Sequence, residues 1–150
     1  VLVGNAALLG EITPMPHASP ESWHQAFDVN LHANWHLIRC FDTLLRASAA
    51  GRAIFVSSGV ARRTSPYWGA YAASKAALEA MVLAYAAENE KTSLRINLLD
   101  PGRTRTRMRA QAFPGENPDT LPAADSIAEY FVRLASPELR ETGQCIRCYS

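Results

Sequence analysis

Residues 53–78 read AIFVSSGVARRTSPYWGAYAASKAAL, and the interpretation of the whole chain turns on them. Ala53 to Ser57 opens with an unbroken apolar run, the pattern of a parallel strand buried on both faces. Ser58 then falls at the carboxyl end of that strand, where open α/β sheets place their ligands. From Tyr71 onward the alanine content predicts a helix, which stands Tyr71 and Lys75 one turn apart on one face. A phenol ionises near pH ~10, so it is a poor base at neutral pH unless a fixed cation favours the phenolate. Lys75 is expected to lower the pKa of Tyr71 in this way. With Ser58 holding a substrate oxygen and Tyr71 exchanging a proton with it, the trio suits carbonyl and alcohol chemistry. Neither Ser57 nor Ser58 lies in a Gly-x-Ser-x-Gly elbow, which disfavours a serine hydrolase.

The same segment resembles the active-site portion of the short-chain dehydrogenase/reductase family, down to the spacing between Ser58 and Tyr71. Three further pieces follow in the family's order. Gly4-Asn5-Ala6-Ala7 is similar to its Asn-Asn-Ala-Gly, Asp28-Val29-Asn30-Leu31 to its asparagine-containing helix motif, and Pro101-Gly102-Arg103-Thr104-Arg105-Thr106 to its Pro-Gly-x-x-x-Thr. The resemblance implies an α/β fold, a partial Rossmann-like, doubly wound parallel sheet with helices on both faces. It implies hydride transfer between NAD or NADP and a carbonyl or secondary alcohol, with Tyr71 as general acid/base. Lys75 would also hold the nicotinamide ribose, and Asn30 would support a proton-relay water. Asn5, Ala6, Pro101, Gly102, Thr104 and Thr106 would line the cofactor together with Tyr71 and Lys75. A water-binding role for Asn30 needs a backbone carbonyl released from the helical ladder, so the helix is expected to be irregular between residues 26 and 34.

The family's opening strand, glycine-rich turn and helix, which hold the cofactor pyrophosphate, have no counterpart here. The eight glycines form no Gly-x-Gly-x-x-Gly, and Val1-Leu2-Val3 matches the family's fourth strand. Residues 1–150 are therefore expected to be a single partial NAD(P)-binding domain, the second half of the fold, inactive alone because the pyrophosphate cradle is missing. The residues that choose NAD over NADP belong to the missing part. Two rival readings are a catalytically idle regulatory domain on the same fold and an assembly module built on the alanine-rich helix. Retention of Asn30, Ser58, Tyr71 and Lys75 argues against the first.

Composition bounds the rest. The 150 residues are 48% hydrophobic and 19% charged, with a formal net charge of +1, which gives no electrostatic footprint for nucleic acid. No signal peptide or membrane-length apolar run is evident, so a soluble, cytoplasmic protein is expected. Arg103, Arg105, Arg107 and Arg109 alternate after the Pro-Gly turn; on a strand they would share one face and meet phosphate, but a solvated loop is the reading adopted. No metal site is expected. His24, Asp28, His32 and His36 step along one helix face without further ligands, and Cys145 and Cys148 would leave a strand on opposite faces. Cys40 is placed in the core.

Taken in order, Ser19-Pro20-Glu21 has the form of a helix cap, first-turn proline and favourable early charge. The helix it starts runs to about Ser48, with Trp23, Phe27, Leu31, Ile38, Phe41 and Leu45 as its buried stripe. Leu94 to Leu99 forms a third strand. Met108 to Pro122 forms a mobile wall over the substrate, Asp125 caps a last helix ending before Pro137, and residues 143–149 close the sheet. The parallel strands are expected in the order 1–4, 53–57, 94–99, 143–149, with the first two helices on one face and the last on the other. This order leaves Val1-Leu2-Val3 as an apolar edge able to recruit another chain. In the resembled family the alanine-rich helix commonly forms a subunit interface, implying a homodimer or homotetramer.

Overall fold

The computed structural model describes residues 1–63 and 65–148. Four parallel strands, β1 (Leu2–Gly4), β2 (Arg52–Val56), β3 (Arg95–Asp100) and β4 (Cys145–Arg147), form one sheet in the expected order β1-β2-β3-β4. Among the described residues β1 pairs with β2 alone, and Val1 and Val3 are 72% and 43% exposed along this edge. The final strand is shorter than the 143–149 expected, and Tyr149 lies outside the described residues.

Register explains the layers. Ala53 lies beside Ile96 and Phe55 beside Leu98, and these residues share a core with Leu45, Leu78 and Val82 from the helices of that side. The alternate positions Ile54 and Leu99 turn to the other face and pack with Leu134 and Cys148. Helices α1 (Pro20–Phe27), α2 (Ala33–Ala47) and α3 (Gly69–Glu88) precede α4 (Arg107–Ala112) and α5 (Ala128–Ala135). The first crossovers thus cover one face and α5 the other, reached through residues 103–123. Arg52, at the head of β2, is 3% exposed and donates to the carbonyls of Gly51, Ser93, Ser136, Pro137 and Leu139, tying β2 to the turn after α5.

The start of α1 follows its sequence signals. The Ser19 hydroxyl accepts from the Ser22 amide at 3.2 Å, Pro20 occupies the first turn, and the Glu11 carboxylate accepts from the Ser19 amide and hydroxyl. Two features downstream differ. A π-helical turn, Asp28–His32, separates α1 from α2. The turn inserts one extra residue relative to a continuous 3.6-residue pattern. Of the expected stripe Leu45 is buried and Leu31 and Ile38 pack against the same core, with Ala26, Asn30 and Asn34 buried beside them; Phe41 is 40% exposed, and Cys40, expected in the core, is exposed too. The last helix also starts differently. Asp125 lies inside a 3₁₀ turn, Ala124–Ile127, with Ala123 before it, and makes no cap.

The arginines after Pro101-Gly102 share no strand face. Arg107 and Arg109 belong to α4, Arg105 pairs with Asp119 at 3.2 Å, and Arg109 is held by both oxygens of Glu116. On the surface of the π turn, His32 Nδ1 lies 2.9 Å from Asp28 Oδ1.

Candidate active site

A cavity of about 600 Å³ opens at the carboxyl ends of β1, β2 and β3. Asn5 and Ala6 reach it after β1, Ser58 after β2, and Tyr71 and Lys75 from the first turns of α3. Pro101, Gly102, Thr104 and Thr106 reach it after β3. Of the residues singled out from sequence, all but Asn30 line this one space.

Ser58 and Tyr71 both line the cavity. Lys75 is 1% exposed; its Nζ donates to the Val56 carbonyl at 2.7 Å and stands 5.9 Å from the centroid of the Tyr71 ring. The expectation that Lys75 depresses the Tyr71 pKa is corrected by this arrangement. Burial pushes Tyr71 above the ordinary phenol value, the neighbouring Ser58 hydroxyl acts downward, and Asp100 adds to the upward push. Burial also pulls Lys75 down to about 8. The reason is shared: both groups leave water together, and each then favours its neutral form.

Asn30 stands behind the cavity and organises its wall. Its side-chain oxygen accepts from the Leu8 amide at 2.7 Å, and its Nδ2 donates to the Leu8 carbonyl and to Ser74 Oγ, each at 2.9 Å. The Ser74 hydroxyl in turn donates to the Tyr71 carbonyl. The backbone carbonyl of Asn30 accepts from Asn34 Nδ2 at 2.9 Å, so the expected helix irregularity is present with a partner that sequence reading missed. Asn34 had a signal: a second asparagine one turn beyond the first. A β-carbon on Gly4 would lie 2.2 Å from Asn34 Oδ1, which makes glycine the residue that leaves room for Asn34.

The two threonines have local duties. Thr104 donates to the Pro101 carbonyl at 3.1 Å, and Thr106 accepts from the Arg109 amide, capping α4. Gly102 has φ +68°, and its amide donates to Asp100 Oδ1.

Beneath the cavity lies a charged cluster that the sequence did not disclose. Arg62 bridges Glu79 of α3 and Asp100 at the end of β3, its Nη1 lies 3.0 Å from Cys145 Sγ, and Ser57 donates to the same Glu79 oxygen. Cys145 packs with the core under α3 while Cys148 packs under α5, the opposite-face placement expected of them.

The chain belongs to the short chain dehydrogenase family, which its residues 1–117 match. Among its relatives is the uncharacterized oxidoreductase YciK of Escherichia coli K12, 42% identical over 140 residues, covering 93% of this chain and 55% of the relative. A solved short chain dehydrogenase from Pseudomonas syringae superposes with a TM-score of 0.94 at 38% identity, over 97% of this chain and 60% of that one. Another, from Escherichia coli CFT073 and complexed with NADPH, gives 0.90 at 40% identity, over 97% and 60%. The chain spans little more than half the length of these relatives.

Proposed function

We propose that this chain provides the proton-transfer and nicotinamide-facing side of an NAD(P)-dependent oxidoreductase acting on a carbonyl or secondary alcohol. The observation that carries the reading is the convergence of Ser58, Tyr71 and the buried Lys75 on one cavity at the carboxyl ends of the strands. The NADPH bound to the Escherichia coli CFT073 relative supports the cofactor class, NAD or NADP.

The residues present fit a nicotinamide riboside. The Lys75 ammonium spends one of its three donors on Val56 and has two for ribose hydroxyls. Thr106 accepts from Arg109 and keeps its own proton to donate, while Asn5-Ala6 and Pro101-Gly102 bring backbone to the same wall. The bound nicotinamide would supply or take up the hydride. Ser58 donates a hydrogen bond to the substrate oxygen, and Tyr71 gives that oxygen its proton or removes it. Burial keeps Tyr71 protonated at neutral pH, the form required of a proton donor. Lys75, below its usual value yet above neutrality, stays largely charged and holds the ribose. Asn30 fixes the wall behind Tyr71 and Lys75, and its carbonyl is the relay position in this reading.

Self-association as a homodimer or homotetramer belongs to the same proposal, supported by Trp35 and Leu44 of α2 and Leu83 of α3, which are exposed. A cytoplasmic location is likewise proposed; among the described residues no helix is long and apolar enough to cross a membrane. Replacing Tyr71 by Phe in the protein as its gene encodes it tests the central claim. General acid/base catalysis contributes roughly 10²–10⁴-fold, so kcat should fall by at least about 10²-fold while NADPH titration, read by cofactor fluorescence, is unchanged. Retention of a tenth or more of the activity would reject the role of Tyr71.

A further inference from the structure

Tyr67 has φ +72°, a left-handed conformation that a bulky side chain adopts only at an energetic cost, and the residue is 58% exposed. The turn is held there by the Thr13 amide, which donates to the Tyr67 carbonyl at 3.1 Å. The next residue is Trp68, the N-terminal cap of α3, which lines the cavity. Its ring meets the Tyr71 ring edge-on at 5.9 Å and the Phe113 ring at 5.7 Å. Phe113 is backed by the Arg109 guanidinium, 3.7 Å from its centroid. Strain at Tyr67 thus coincides with an aromatic wall beside the proton-donating hydroxyl.

The charges of the cavity narrow its ligand further. Tyr71 and Lys75 are committed in the proposed reaction, and the other ionisable side chain among the described lining residues is Arg109, which is neutralised by both oxygens of Glu116. Among these lining residues no free cation is left to meet a carboxylate or phosphate on a substrate. Leu8, Leu9, Val29, Met108 and Ala112 add apolar surface to the same space.

We infer that the substrate is an uncharged carbonyl compound carrying an aromatic ring next to the carbonyl, or the corresponding benzylic alcohol, with the ring packed on Trp68. The inference rests on the oxidoreductase reading. In the reducing direction the carbonyl carbon gains a hydride, two electrons coming from the reduced nicotinamide. The oxygen gains the Tyr71 proton, leaving the alcohol and oxidised nicotinamide.

Three ketones separate the determinants: acetophenone, benzoylformate, which adds a carboxylate, and 2-butanone, which lacks the ring. With the protein as its gene encodes it, kcat/KM for acetophenone should exceed each of the others by at least tenfold. Trp68→Ala should lower the acetophenone value tenfold or more, mainly through KM, and by a larger factor than it lowers the 2-butanone value. Saturation-transfer NMR on the acetophenone ring protons, without cofactor, should give a signal that Trp68→Ala and Trp68→Leu both abolish. Equal or better turnover of benzoylformate or 2-butanone would overturn the substrate class while leaving the oxidoreductase reading standing. A ring-proton signal abolished by Trp68 substitution, with reduction of none of the three, would support the ligand class and reject the reaction.

Discussion

Replacing Lys75 by Met changes how stability depends on pH, with a sign fixed by burial. Lys75 is 1% exposed, and its ammonium is pulled from an ordinary 10.5 to about 8. In the unfolded chain it keeps its proton up to about pH 10.5, whereas in the folded protein it loses that proton near pH 8. Between these values the unfolded state binds more protons, so the Lys75 contribution rises with pH there and is flat below 8. At about 1.4 kcal/mol per tenfold change in proton affinity, the gain between pH 7 and pH 10 is roughly 2.5 kcal/mol. Tyr71 and Tyr85, both pushed up mainly by burial, contribute in the opposite sense above their unfolded values. Both remain in the Met variant, so their effects are shared by the two proteins.

The assay is urea denaturation of both proteins at pH 7, 8.5 and 10, with stabilities taken from linear extrapolation. At pH 7 the variant is free of the charge-burial penalty but leaves the Val56 carbonyl without its 2.7 Å donor, so the absolute difference mixes two effects. The change of that difference with pH isolates the first. Wild type should gain on the variant by roughly 2 kcal/mol or more from pH 7 to pH 10. A difference constant within about 0.5 kcal/mol would refute the burial argument.

Asn30→Ala should destabilise by roughly 3 kcal/mol or more, because it strips buried partners from the Leu8 amide, the Leu8 carbonyl and Ser74; a loss below about 1 kcal/mol in urea would contradict that assignment. Arg62→Met leaves Glu79 and Asp100, 13% and 7% exposed, facing each other without their cation. The cost should be roughly 2–4 kcal/mol, largely recovered when Glu79→Gln and Asp100→Asn are added, and a triple variant no better than the single one would show that the cluster does not act through charge.

Local chemistry made much of this protein legible before any coordinates. An apolar run announces a buried strand, and Ser19-Pro20-Glu21 announces a helix start; both signals act within a few residues, and both elements formed as read. Motif resemblance went further, supplying the strand order, the gathering of Ser58, Tyr71, Lys75 and the Pro101-Gly102 turn, and the irregular helix at Asn30. Only the folded chain decided features that depend on what faces what. Periodicity does not say how wide a helix's buried face is, and Leu45 stays inside while Cys40 and Phe41 reach the surface against expectation. Arg62 meets partners 17 and 38 residues away, a pairing that no local pattern encodes. The Tyr71 pKa moved opposite to the sequence argument because a side chain's ionisation is set by its dielectric surroundings as well as by the charge one turn away, and those surroundings exist only after packing.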